Sequence, residues 1–145
     1  MTRYPFPVIA AVAGTALLLG GCSGQAGLTA LDRVATPEDT LPPGVTLQQD
    51  VKADSARLLA TRDGVRYFAA ENDDATVACV AVVPPGEDPR WIAGCSSLNT
   101  TGRIVEVSSV GSASSTMLIT GGFDTRKLES EGWAKVAENV LVSGR

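Results

Sequence analysis

The sequence predicts a mainly β fold: a single small antiparallel sheet or sandwich of about six to eight strands with little helix. Three observations carry this. Short apolar segments recur along residues 55–143, separated by clusters of Gly, Pro, Asn, Asp and Ser that favour turns. Asp63-Gly64 between two of them is a two-residue hairpin signal. Over residues 77–83 both alternating sets are apolar, Val77/Cys79/Ala81/Val83 and Ala78/Val80/Val82, as in a central strand covered on two faces.

The chain opens differently. Arg3 precedes residues 8–19, which are apolar apart from Gly14 and Thr15, and the small residues Gly20 and Gly21 follow, the order of a secretory signal. As a helix, residues 8–21 would span roughly 21 Å, short of a hydrocarbon core of about 30 Å. Leu19-Gly20-Gly21-Cys22 resembles the lipobox of bacterial lipoproteins. That resemblance implies cleavage before Cys22 and a diacylglyceryl group on its sulfur. It also implies residence on the extracytoplasmic face of the cell membrane, with the membrane engaged through the lipid. Two acyl chains hold a protein stably where one does not. Ordinary secretion with a free Cys22 and a retained membrane anchor are the competing readings of the run.

Three parts are therefore expected: a signal peptide over 1–21, a lipidated flexible tether over 22–44 and a β-rich extracytoplasmic domain over 45–145. The tether reading rests on Gly24, Gly27, Pro37, Pro42 and Pro43 and on few large apolar residues. A flexible coil of some 20 residues has an r.m.s. reach on the order of 25 Å. The alternative is a helical turn of Leu28, Leu31 and Val34 docked on the domain. Without residues 1–21 the chain has eleven Lys and Arg against sixteen Asp and Glu, a formal charge of −5. Nucleic acid and anionic lipid surfaces both favour basic patches, so neither is an expected partner.

Within the domain, residues 47–59 are ambiguous: Leu47, Val51 and Leu58 fit a helical stripe, whereas residues 56–62 fit a strand. Folding about Asp63-Gly64 settles the later part, pairing Arg62 with Val65, Ala60 with Tyr67, Leu59 with Phe68 and Leu58 with Ala69. Strands are expected over 55–62 and 65–71. The hairpin is apolar on both faces, so one face must be covered by another sheet or lie open to a partner, with Arg57 and Arg66 beside Phe68. Asn72-Asp73-Asp74 then turns into the strand of Cys79. After residues 91–97, Asn99-Thr100-Thr101-Gly102 turns into a strand over 104–110, and residues 116–120 form another. Asp124 begins a short helix that Gly132 stops. A closing hairpin about Glu138-Asn139 follows; one helix over 127–142 is its alternative.

With Cys22 assigned to lipid, Cys79 and Cys95 remain as an even pair in a compartment where disulfides persist. Folding the intervening loop about Glu87 sets Val83 opposite Trp91 and Cys79 opposite Cys95. Facing residues at a non-hydrogen-bonded antiparallel position lie about 4.5 Å apart at Cα, within disulfide reach. A structural disulfide is expected.

Ser55-Ala56-Arg57-Leu58, Gly64-Val65-Arg66-Tyr67, Val77-Ala78-Cys79, Trp91-Ile92-Ala93-Gly94-Cys95 and Gly132-Trp133 before Glu138-Asn139-Val140 together resemble small exported actinobacterial domains of unknown function, over roughly residues 38–142. The resemblance brings no catalytic residues. Histidine is absent from the chain, which removes Ser-His-Asp and Cys-His arrangements, and two cysteines without histidine make a poor zinc set. Phosphate loop, dinucleotide fingerprint and complete calcium loop are all missing, so no cofactor or metal is expected. Asp73 and Asp74 read as turn residues, and Trp91, Trp133, Tyr67, Phe68 and Phe123 as packing. The expected function is a non-catalytic binding or accessory module of the cell envelope, its partner an envelope protein. A small-ligand-binding or sensing domain, with a pocket near the aromatics, is the alternative. A hydrolase using two convergent carboxylates is a further one.

Overall fold

The computed structural model describes residues 27–48, 50–87, 90–98, 102–108 and 113–144. Eight strands form two four-stranded antiparallel sheets packed as a small sandwich, with one short α-helix. The first sheet is a meander of β1 (Arg57–Arg62), β2 (Val65–Glu71), β3 (Val77–Val83) and β4 (Ile92–Ser97). The second contains β5 (Arg103–Ser108), β6 (Ser115–Ile119), β7 (Trp133–Ala137) and β8 (Val140–Ser143) in the order β5-β6-β8-β7, with α1 (Arg126–Ser130) between β6 and β7. The C-terminal segment is thus a hairpin after a short helix, and the single-helix alternative for 127–142 does not occur.

Local sequence explains the turns. Asp63 and Gly64 both have positive φ, 52° and 79°, as a type I′ hairpin requires. Asn72 closes the β2–β3 turn: its Oδ1 accepts from the backbone N–H groups of Thr76 and Val77, and its Nδ2 donates to Thr76 Oγ1. The neighbouring Asp74 is left on the exposed turn.

The sheets enclose a core of Tyr67, Ala69, Ala78, Val80, Ile104, Val107, Leu118 and Val140. Three edge strands carry register shifts, between Leu58 and Ala60, Arg103 and Val105, and Lys135 and Ala137. Each shift is a bulge in which one extra residue interrupts the alternation. The consequence is the same each time: two successive apolar residues, Leu59 and Ala60, Ile104 and Val105, or Val136 and Ala137, join the inter-sheet core. The first bulge also moves the expected pairing, because the hairpin register holds from Arg62↔Val65 to Ala60↔Tyr67 and then becomes Leu58↔Phe68.

The fourth edge, β4, packs beside β5. A Cβ on Gly94 would lie 2.6 Å from Val107 Cγ1 and 3.3 Å from Val105 Cγ2, so the absent side chain lets the two strands approach.

The other face of the first sheet presents Phe68, Ala70, Cys79, Ala81 and Val83, and it is covered by the chain itself: Leu41, Val51 and Ala56 are buried there, with Val45 and Leu47 packed alongside. On the outer face of the second sheet, Leu128 of α1 packs with Met117, Ile119 and Leu141.

This arrangement corrects the expected domain boundary. Residues 27–44 are not the free tether that the sequence predicts: Leu28 and Leu31 enter the inter-sheet core and Leu41 enters the outer cluster. The folded body therefore begins by Gly27, not Val45. The docked turn of Leu28 and Leu31 is present as the 3-10 segment Thr29–Leu31, whereas Val34 stays 88% exposed. The physical reason is that a sheet apolar on both faces needs a second cover, which residues 41–56 supply. Residues 1–26, including Cys22, lie outside the described residues.

Gly94→Ala tests the close edge contact. It is expected to destabilise the domain by about 1–3 kcal/mol, the usual effect of overpacking. A lowered urea midpoint with an unchanged m-value would register this.

Candidate functional site

Cys79 and Cys95 face each other in the β3–β4 register and are joined by a disulfide, with Cα atoms 4.0 Å apart. The expected geometry holds along the hairpin, which continues to Val82↔Ile92. Cys79 is completely buried beneath the segment 41–56.

That segment is held by a carboxylate that the sequence reading did not single out. Asp39 is 3% exposed and accepts five hydrogen bonds. Arg33 donates two, from Nη1 at 2.6 Å and Nη2 at 2.5 Å. Thr36 supplies its backbone N–H at 2.6 Å and its hydroxyl at 3.0 Å, and the Leu58 N–H of β1 donates at 2.7 Å. Arg33 also donates to the Leu58 carbonyl, and Arg57 Nε donates to the Arg33 carbonyl. One buried carboxylate thus ties the strap to the first residues of β1. The Arg33 guanidinium, aided by the Thr36 and Leu58 donors, holds the Asp39 carboxyl well below the usual carboxylate range. The legible signal was Thr36-Pro37-Glu38-Asp39, a capping pattern with proline at the first position of the turn.

Two clefts flank this framework. One, of about 330 Å³, lies beside the latch and is lined by residues including Thr36, Asp39, Leu41, Asp54 and Ala56. It contains two carboxylates, but the lone pairs of Asp39 are occupied by donors. The Glu71 carboxyl is raised, by burial and then by Asp32 nearby, but Glu71 lines neither cleft. The convergent acid pair in a cleft, with one carboxyl raised, that a hydrolase would need is not assembled among these groups. Among the described residues no group of three or more Cys, Asp or Glu could hold a metal ion, and no helix is long and apolar enough to cross a membrane.

The other cleft, of about 360 Å³, opens at the sandwich end formed by the β1–β2 turn and the start of β7. Val65, Tyr67, Ala134 and Val142 give it apolar walls, while Arg62, Asp63 and Ser143 bring polar groups. Its volume falls in the range of small-ligand sites. Burial raises the Tyr67 phenol above its ordinary value, so at neutral pH it is an uncharged hydroxyl able to donate. The other aromatics are placed in packing: Phe68 and Trp91 with the strap cluster, Phe123 and Trp133 with α1. Arg66 lies over the Phe68 ring, 5.6 Å from its centroid. The face beside Arg57 and Arg66 is consequently occupied and is not an open partner surface. Asp73 pairs with Lys52 at 2.6 Å on an exposed turn.

The chain matches no protein-family description, no curated protein and no solved structure.

Asp39→Asn is expected to cost about 2–3 kcal/mol near neutral pH through weakened charge-assisted bonds. Because the folded carboxyl titrates below the unfolded one, its contribution is complete above about pH 5 and declines as pH falls towards the folded value. Urea midpoints followed from about pH 5 to pH 2 should drop in the parent chain, with a shallower dependence in the variant.

Proposed function

We propose that this protein is a membrane-anchored extracytoplasmic lipoprotein, modified on Cys22, whose sandwich is a non-catalytic binding or accessory module of the cell envelope. The division of the three cysteines carries the reading. Cys79 and Cys95 are joined to each other, and Cys22 alone follows an apolar run and two glycines. A structural disulfide suits a compartment outside the reducing cytoplasm. Lipid on Cys22 supplies the anchor, and the sandwich supplies the surface. Among the described residues Val34 is the one fully exposed large apolar side chain. An envelope protein partner would accordingly meet polar groups and not a bare apolar sheet.

A second reading, small-ligand binding, is favoured by one specific observation, the cleft of about 360 Å³ beside Tyr67. In this role the apolar walls would hold a small ligand's body while the Tyr67 hydroxyl and Arg62 recognise polar groups.

The anchor reading predicts that the exported protein fractionates with membranes and carries a diacylglyceryl mass on the peptide beginning at Cys22, and that Cys22→Ala moves it to the soluble fraction. Unmodified Cys22 in membrane-bound protein would overturn it. For the second reading, NMR screening with small amphiphilic fragments should move amide signals of residues 62–67, 132–134 and 142–144, an effect abolished by Ala134→Leu. Responses scattered away from the cleft would count against it.

A further inference from the structure

The two ends of the sandwich differ in what they present. Gly27 accepts a hydrogen bond from Gly121 N–H at 3.3 Å, just beyond the last residue of β6. Neighbouring connections converge on the same end: Thr120 and Gly102 exchange hydrogen bonds, and Asn139 of the β7–β8 turn donates to the Ile119 carbonyl. The cleft lies at the other end of the same strands, where Ser114 precedes β6, Gly132 precedes β7 and Gly144 follows β8. At about 3.3 Å per residue, the six steps from Ser114 through β6 to Thr120 separate the two ends by roughly 20 Å.

The strap makes this polarity consequential for an anchored protein. Had residues 22–44 been free, the sandwich could tumble on a tether reaching about 25 Å. Leu28 and Leu31 are instead buried in the inter-sheet core, Asp39 is latched to β1, and the folded body starts by Gly27. Five residues after Cys22 can span at most about 18 Å even when fully extended. The Gly27 end cannot travel farther than that from a lipid attached at Cys22.

We infer that the Gly27 end of the sandwich faces the lipid surface and that the cleft beside Tyr67 faces away from it, open to whatever approaches from the envelope side. This rests on the anchor reading and adds a fixed orientation to it. The interaction is one of restraint by the short linker: at this end Lys52 is paired with Asp73 and Arg126 with Asp124, Asp74 and Glu138 add acid, and Arg57 and Arg103 begin β1 and β5.

The test uses the full-length lipidated chain in vesicles of phosphatidylcholine containing a headgroup-labelled acceptor lipid. A donor fluorophore is carried by a noncanonical residue replacing either Asp74, on the β2–β3 turn, or Glu87, in the β3–β4 connection at the cleft end. With the ends about 20 Å apart, energy transfer from position 74 is expected to be at least about twofold stronger than from position 87. Inserting about 20 Gly/Ser residues after Ala26, which restores a tether of about 25 Å without touching the folded body, should bring the ratio close to one. Equal or reversed transfer in a native-length chain whose Cys22 lipid is verified by mass spectrometry would overturn the orientation. Absence of lipid on Cys22 would instead overturn the anchor reading.

Discussion

The Asp39 carboxylate is the interaction on which the remaining architecture depends. The first sheet is apolar on both faces, and among the described residues its outer face is covered by no second sheet. The cover is a strap with little regular structure, whose ordering costs roughly 1–2 kcal/mol of backbone entropy per residue. Strands recover such a cost along a ladder; a strap recovers it at a few points. Here those points are the apolar side chains that meet the sheet and the carboxylate that ties the strap to β1. Five donors converge on Asp39 from three directions, so the strap's path is fixed where it crosses the first strand. With that crossing fixed, Leu41, Val51 and Ala56 pack over Phe68 and Cys79.

A second constraint comes from closing two small sheets around one core. Regular alternation sends half of each strand outward, and strands of four to seven residues leave few side chains to fill the interior. The bulges at Leu59, Ile104 and Val136 each add an inward apolar residue, and all three lie on edge strands. Bulges there also disturb the unpaired backbone groups that would otherwise template another chain. On the remaining edge the device is reversed, since Gly94 removes a side chain and brings β4 against β5.

These devices explain what could be read from the sequence. The β3–β4 register was legible because the loop midpoint and the cysteine spacing specify the same pairing, and Asp63-Gly64 admits one tight turn. The β1–β2 register was legible only to Ala60, because alternation carries no mark of which residue of Leu58-Leu59-Ala60 is extra. Doubled apolar positions at Ile104-Val105 and Val136-Ala137 were the available hint. The strap was legible only in part: Leu28 and Leu31 carry the spacing of a helical turn, whereas Leu41 lies in a proline-rich stretch with no period linking it to Val51, so its burial depends on tertiary contacts. The cleft brings together Arg62, Tyr67, Ala134 and Ser143, residues distant in sequence with no motif linking them.

Strap and disulfide occupy the same face, and this couples the two halves of the molecule's stabilisation. Cys79 lies among Phe68, Ala70, Ala81 and Val83, directly where Leu41, Val51 and Ala56 pack. The disulfide limits how far β3 and β4 can separate beneath the strap. The strap in turn shields the sulfur of Cys79 from a reductant or thiolate that would have to reach it for exchange. Loss of the Asp39 latch therefore bears on more than one hydrogen-bonded group, because it loosens the strap where it crosses β1 and covers Cys79. One carboxylate thus bears both on the path of the strap and on the cover over Cys79.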